Sequence, residues 1–123
     1  MLWWRVAFVA YAGVASFLLL APHPLQMLGL ARYSESLSAG RGQHAAIFFG
    51  LTLCALLARW PVRLTALWGM LAGYAALTEA IQAFIPPRQS DWRDLAENLA
   101  GLAAGIAVYA AANHLIRRNG PGP

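Results

Sequence analysis

A carboxylate stands inside an apolar run at Glu79, and Gln82 follows three residues later on the same helical face. If Leu64 to Ile85 is a helix, Glu79 lies about six residues, or roughly 9 Å, from its end. Holding an ionised carboxyl group there costs a few kcal/mol, so the group needs a cation, a wet cavity or a proton. The residues able to supply these come next: Arg88, Ser90, Asp91, Arg93 and Asp94, then Glu97 and Asn98 at the start of the last apolar run. A hairpin between the last two runs would bring Glu79 and Gln82 near Asp94 and Asn98. Acids and arginine would then share one pocket, with Arg88 holding an anion and Glu79 and Asp94 fixing that arginine.

Plainer uses of the same groups stand beside this one. Glu79, Gln82 and Asn98 could form only an interhelical hydrogen-bond latch, worth about 0.6 to 2 kcal/mol per contact. Asp94 with Glu97, or Asp91 with Asp94 one turn earlier, has the spacing of a helix N-cap and its capping-box partner. Arg88 could simply snorkel to the interface. His44 has no second metal ligand near it in sequence, so no metal site and no cofactor are expected. His23 and His114 are read as interfacial. No serine or cysteine nucleophile motif, phosphate-cradling glycine loop or zinc spacing is present.

The elements that must position these groups are apolar helices. Of 123 residues, 59% are hydrophobic and 11% charged, which is too apolar for a soluble domain with a wettable surface. An all-α polytopic membrane bundle is expected, with four transmembrane helices over about 2–21, 44–60, 64–85 and 95–116. Residues 1–118 would form one transmembrane domain, and 119–123 a disordered tail. The second run is short for a full crossing and would borrow its flanks. The first run resembles a signal peptide, but its end lacks the small residues cleavage needs, so it is read as retained. Between the first two spans, Leu25, Leu28 and Leu30 could lie along the interface as a short helix.

Packing between spans is expected from small residues, because lipid gives helices no hydrophobic reason to associate. Gly69 and Gly73, followed by Ala76 and Ala80, mark one such face. Gly101 and Gly105 mark another, continuing the stripe begun by Asp94 and Asn98. Cys54 lies within an apolar run and is the sole cysteine, so no intrachain disulfide forms.

All nine basic residues are arginines, and the formal net charge is +4. They border apolar runs singly or in pairs and do not form a stripe that could track phosphates, so no nucleic-acid partner is expected. Four spans put both termini on one side, together with Arg5, Arg59, Arg63, Arg117 and Arg118. Arg32, Arg41, Arg88 and Arg93 lie on the other. Five basic residues against four place the termini in the cytoplasm.

The run Glu79-x-x-Gln82-x-Phe84-x-Pro86-x-Arg88-x-Ser90-x-x-x-Asp94-x-x-x-Asn98-x-x-Gly101-x-x-x-Gly105 spans 27 positions and resembles the signature of VanZ-like membrane proteins. His44, with Phe48 and Phe49 after it, resembles the upstream His-x-x-x-Phe element of that family, although Gly40, Arg41 and Gly42 replace the acid and lysine often found before it. The resemblance covers about residues 43–115. It implies a multi-pass bacterial inner-membrane protein of the cell envelope, in a family named for a link to glycopeptide resistance, and it supplies no reaction. The pocket residues expected are therefore Glu79, Gln82, Arg88, Asp94, Asn98 and His44, at the non-cytoplasmic membrane border. Their expected partner is a membrane lipid headgroup or a lipid-linked wall precursor. The alternatives are a membrane enzyme using His44 or Glu79 as general acid or base, and an assembly partner of a larger membrane complex or homo-oligomer.

Overall fold

The computed structural model describes residues 1–30, 32, 42–86, 90–120 and 122. Among these the chain is all helical: α1 (Leu2–Leu20), α2 (Pro24–Met27), α3 (Gln43–Leu57), α4 (Leu64–Gln82) and α5 (Trp92–Asn119). Helices α1, α4 and α5 are long and apolar enough to cross a membrane. Helix α3 has 15 residues, about 22 Å of rise against a hydrocarbon core of about 30 Å. The expectation of four crossings is thus met in length and apolarity by three helices, while α3 alone falls short.

Local sequence explains where each helix stops. Ala21 is extended (φ −65°, ψ 139°), as the residue before Pro22 must be. Gly42 starts α3 at φ 99°, a left-handed conformation that a Cβ would strain. Helix α3 ends at Leu57 rather than Trp60, and Arg59 takes φ 45° in the turn to α4. Helix α4 ends at Gln82, three residues before the expected boundary. Helix α5 begins three residues early, at Trp92, because the Asp91 carboxylate caps it by accepting from the Arg93 backbone N–H at 3.0 Å. Asp91 is therefore the cap, and Asp94 sits at the third helical position with its side chain free for other use. At the other end α5 runs through Asn119, where the disordered tail was expected to begin; 121 and 123 lie outside the described residues. Of the leucines expected on a short helix, Leu25 lies in α2, which buries no residue, and Leu28 and Leu30 lie beyond its end.

The helices alternate in direction, so the C-terminal ends of α1 and α4 meet the N-terminal ends of α3 and α5. All four contribute to one core: Leu19 from α1, Phe48, Leu51 and Ala55 from α3, Leu71 and Ala75 from α4, and Leu102 from α5. At the opposite end, Arg5 Nε donates to Ala58 O at 3.5 Å, and its guanidinium lies 4.9 Å over the Trp60 ring. Ser16 and Tyr74 tie α1 to α4 through their hydroxyls at 2.7 Å. Large apolar side chains such as Trp3, Val9, Met70, Leu77, Val108 and Ile116 face outward, which suits hydrocarbon and not water as the surrounding solvent.

Helix α5 packs most extensively on α3. A Cβ added at Gly101 would overlap the Ala45 carbonyl, and one at Gly105 would stand 2.8 Å from Thr52 Cβ. These glycines do permit close approach, as expected, but toward α3 and not α4. The expectation for Gly69 and Gly73 needs correction. An added Cβ at either position meets nothing within 4 Å among the described residues, and both residues are exposed on the outer side of α4. Small residues show where a helix could come close without specifying that one does.

Candidate functional site

Four polar side chains from three helices converge at the end of the bundle where α3 and α5 begin and α4 ends. His44, in the first turn of α3, places Nδ1 3.1 Å from Asn98 Oδ1 and 3.6 Å from Glu79 Oε1. Its Nε2 lies 3.8 Å from Asp94 Oδ2. The Asn98 amide nitrogen donates to Glu79 Oε1 at 3.4 Å. Asn98 is fully buried and Glu79 is 5% exposed, whereas the side chains of His44 and Asp94 are 17% and 34% exposed. The cluster thus opens outward along Asp94 and closes inward at Glu79.

Helix geometry accounts for the convergence. Asp94 and Asn98 are four residues apart on α5, one above the other on the face turned to α3 and α4. Gly101 extends that face and lets α5 settle against the backbone of Ala45, the neighbour of His44. The Glu97 carboxylate accepts from the Gly42 backbone N–H at 3.2 Å, so α5 also supplies an acceptor to the start of α3. This tie escaped the sequence reading, which treated Glu97 only as a capping partner. The signal for it was weak: a glycine before an apolar helix and an acid one turn after Asp94.

Among the described residues, Glu79 Oε2 is buried without a hydrogen-bond partner. One ligand atom from each of His44, Glu79 and Asp94 lies within 4.8 Å of the other two. An imidazole flanked by two carboxylates can take up and release protons or bind a cation.

The remaining expected pocket residues fare differently. Gln82 is buried, but its amide donates to Leu19 O at 2.6 Å, where it satisfies a last-turn carbonyl of α1 ahead of Pro22. It is a latch between α4 and α1. Arg88 lies outside the described residues, so its expected pairing with Glu79 and Asp94 has no geometry. Phe84 and Trp92 flank the site end and are 85% and 74% exposed, a placement that suits aromatic residues at a membrane border.

A separate apolar groove of about 440 Å³ runs between α1, α3 and α4, lined by residues including Phe8, Leu51, Trp60, Met70 and Tyr74. It occupies the half of the bundle nearer the termini and does not include the His44 cluster.

No curated protein and no solved structure matches the chain. A family model described as VanZ/LLP1 matches residues 6–113, which takes in most of α1, all of α3 and α4 and most of α5, together with the whole polar cluster. The chain belongs to the VanZ/LLP1 family.

Proposed function

We propose that this is a bacterial inner-membrane protein of the cell envelope that recognises a lipid headgroup, or the head of a lipid-linked wall precursor, at the His44 cluster. The observation that carries this reading is the meeting of His44, Glu79, Asp94 and Asn98 at one end of the bundle. A buried carboxylate and amide on membrane helices are costly to keep without a use. The cluster opens beside exposed aromatics, at the depth where headgroups lie. In this reading α3 crosses with help from its flanks, which makes four crossings, and the arginine-rich end that holds both termini faces the cytoplasm. The site is then on the non-cytoplasmic side, and Arg88, between Glu79 and Asp94 in sequence, is the arginine proposed to hold an anionic head. A role in glycopeptide resistance would follow from altered handling of such a precursor.

The test is a comparison of lipids retained by the detergent-purified protein with those of the bulk membrane, read by mass spectrometry. Wild type should enrich one headgroup class, and His44→Ala and Asn98→Ala should lose the enrichment while remaining helical by circular dichroism. A wild-type lipid profile equal to that of the membrane would reject headgroup recognition.

The second reading is a membrane enzyme acting on the same class of lipid. It is favoured by the position of the His44 ring between Glu79 and Asp94, where an imidazole could serve as general acid or base. Conversion of labelled envelope lipid in nanodiscs, lost in His44→Ala, would separate turnover from binding.

A further inference from the structure

The His44 cluster has a surplus of acceptors. Asn98 Oδ1 can only accept, and its amide nitrogen is turned to Glu79, so the network assigns the His44 proton to Nδ1. The lone pair of Nε2 then faces Asp94 Oδ2 across 3.8 Å. Two acceptors facing one another need a positive centre between them. Glu79 Oε2 is buried and lacks a hydrogen-bond partner among the described residues, in a residue that is itself 5% exposed. A carboxylate oxygen in that state needs a ligand of its own.

We infer that His44, Glu79 and Asp94 bind one divalent transition-metal ion of the zinc class, with Asn98 as the residue that orients two of its ligands. One nitrogen and two carboxylate oxygens suit such an ion. Bonds of about 2.0 to 2.2 Å in a tetrahedron set ligand atoms about 3.3 to 3.6 Å apart. One ligand atom from each residue lies within 4.8 Å of the other two, so closing the shell takes a contraction of up to about 1.5 Å. Asn98 matches the outer partner of a metal-binding imidazole, since it accepts from the ring nitrogen that does not face the ion. Three protein ligands leave a coordination position open, on the Asp94 side where the cluster is exposed. That position would take a phosphate oxygen, and for this last step the inference rests on the proposed headgroup recognition. Binding of the ion itself does not.

The test uses the full chain, purified in detergent without a polyhistidine tag, stripped with chelator and reloaded with Zn²⁺ or with Co²⁺ as a visible-absorption probe. Wild type should hold about one ion per chain, show Co²⁺ bands of nitrogen and oxygen coordination, and unfold at a higher temperature with metal than without. His44→Ala and Glu79→Gln should lose the ion, and the double variant His23→Ala/His114→Ala should keep it. Asn98→Ala should weaken affinity about 10- to 100-fold while still filling at high metal concentration. Wild type that takes up no ion, and whose unfolding temperature ignores Zn²⁺, overturns the inference. Binding retained in both His44→Ala and Glu79→Gln overturns it equally. Lipid retention that survives chelation rejects a headgroup held through the ion and spares both headgroup recognition and binding of the ion itself. An ion bound without lipid enrichment rejects recognition and spares the ion.

Discussion

Replacing Gly101 with alanine adds one methyl group where α5 crosses α3. The new Cβ would overlap Ala45 O and stand 2.8 Å from the Ala45 carbonyl carbon and Cα, against 3.4 Å for ordinary contact. All three atoms are backbone, so no rotamer change relieves the clash, and the helices must part by at least about 0.6 Å. His44 adjoins Ala45, and Asn98 lies three residues before Gly101. The same movement stretches the His44–Asn98 contact from 3.1 Å toward about 3.7 Å, beyond hydrogen-bond range. Overpacking costs about 1 to 3 kcal/mol, the lost interhelical bond up to about 1.7 kcal/mol, and the better helix propensity of alanine returns up to about 1 kcal/mol. The middle of these ranges gives a net destabilisation of about 2 kcal/mol, read as a lower midpoint in thermal unfolding of the detergent-solubilised protein by tryptophan fluorescence. Gly69→Ala is the control, because it gains the same propensity and meets nothing within 4 Å. A Gly101→Ala midpoint within about 1 °C of wild type, or an equal loss in Gly69→Ala, would refute the α3–α5 crossing described here.

Two further substitutions probe connections around the site. Gln82→Ala removes the donor to Leu19 O and should cost about 1 to 3 kcal/mol in the same unfolding assay, with the His44 imidazole NMR signals unchanged; a shift of those signals would make Gln82 part of the cluster after all. Asp91→Ala removes the cap of α5 and should cost about 0.5 to 2 kcal/mol. Amide exchange should quicken at Arg93 and Asp94 and stay slow at Asn98, and uniform quickening would show that the cap holds more than the first turn.

The sequence alone determined the class of solvent and the helical runs. Each apolar stretch is decided by its own residues, and its ends by proline, glycine and arginine within a few positions. It also led to the expectation that Glu79, Asp94 and Asn98 lie close together, as their side chains do. An ionisable group in an apolar helix needs polar company, and the four-residue spacing of Asp94 and Asn98 stacks them on one face. Asp91 as the cap of α5 was legible too, but only as one of two registers.

The tertiary structure decided which faces meet. In water, the apolar face of a helix points to the core; in a chain whose outside is also apolar, hydrophobicity no longer distinguishes inside from outside. That is why Gly101 and Gly105 could be recognised as packing residues while their partner, α3, could not. It is also why Gly69 and Gly73, identical in spacing, turned out to face outward. The same physics hid the longest connections. Gln82 reaches Leu19 across 63 positions and His44 reaches Asn98 across 54, and no local pattern records which helix ends a bundle brings together.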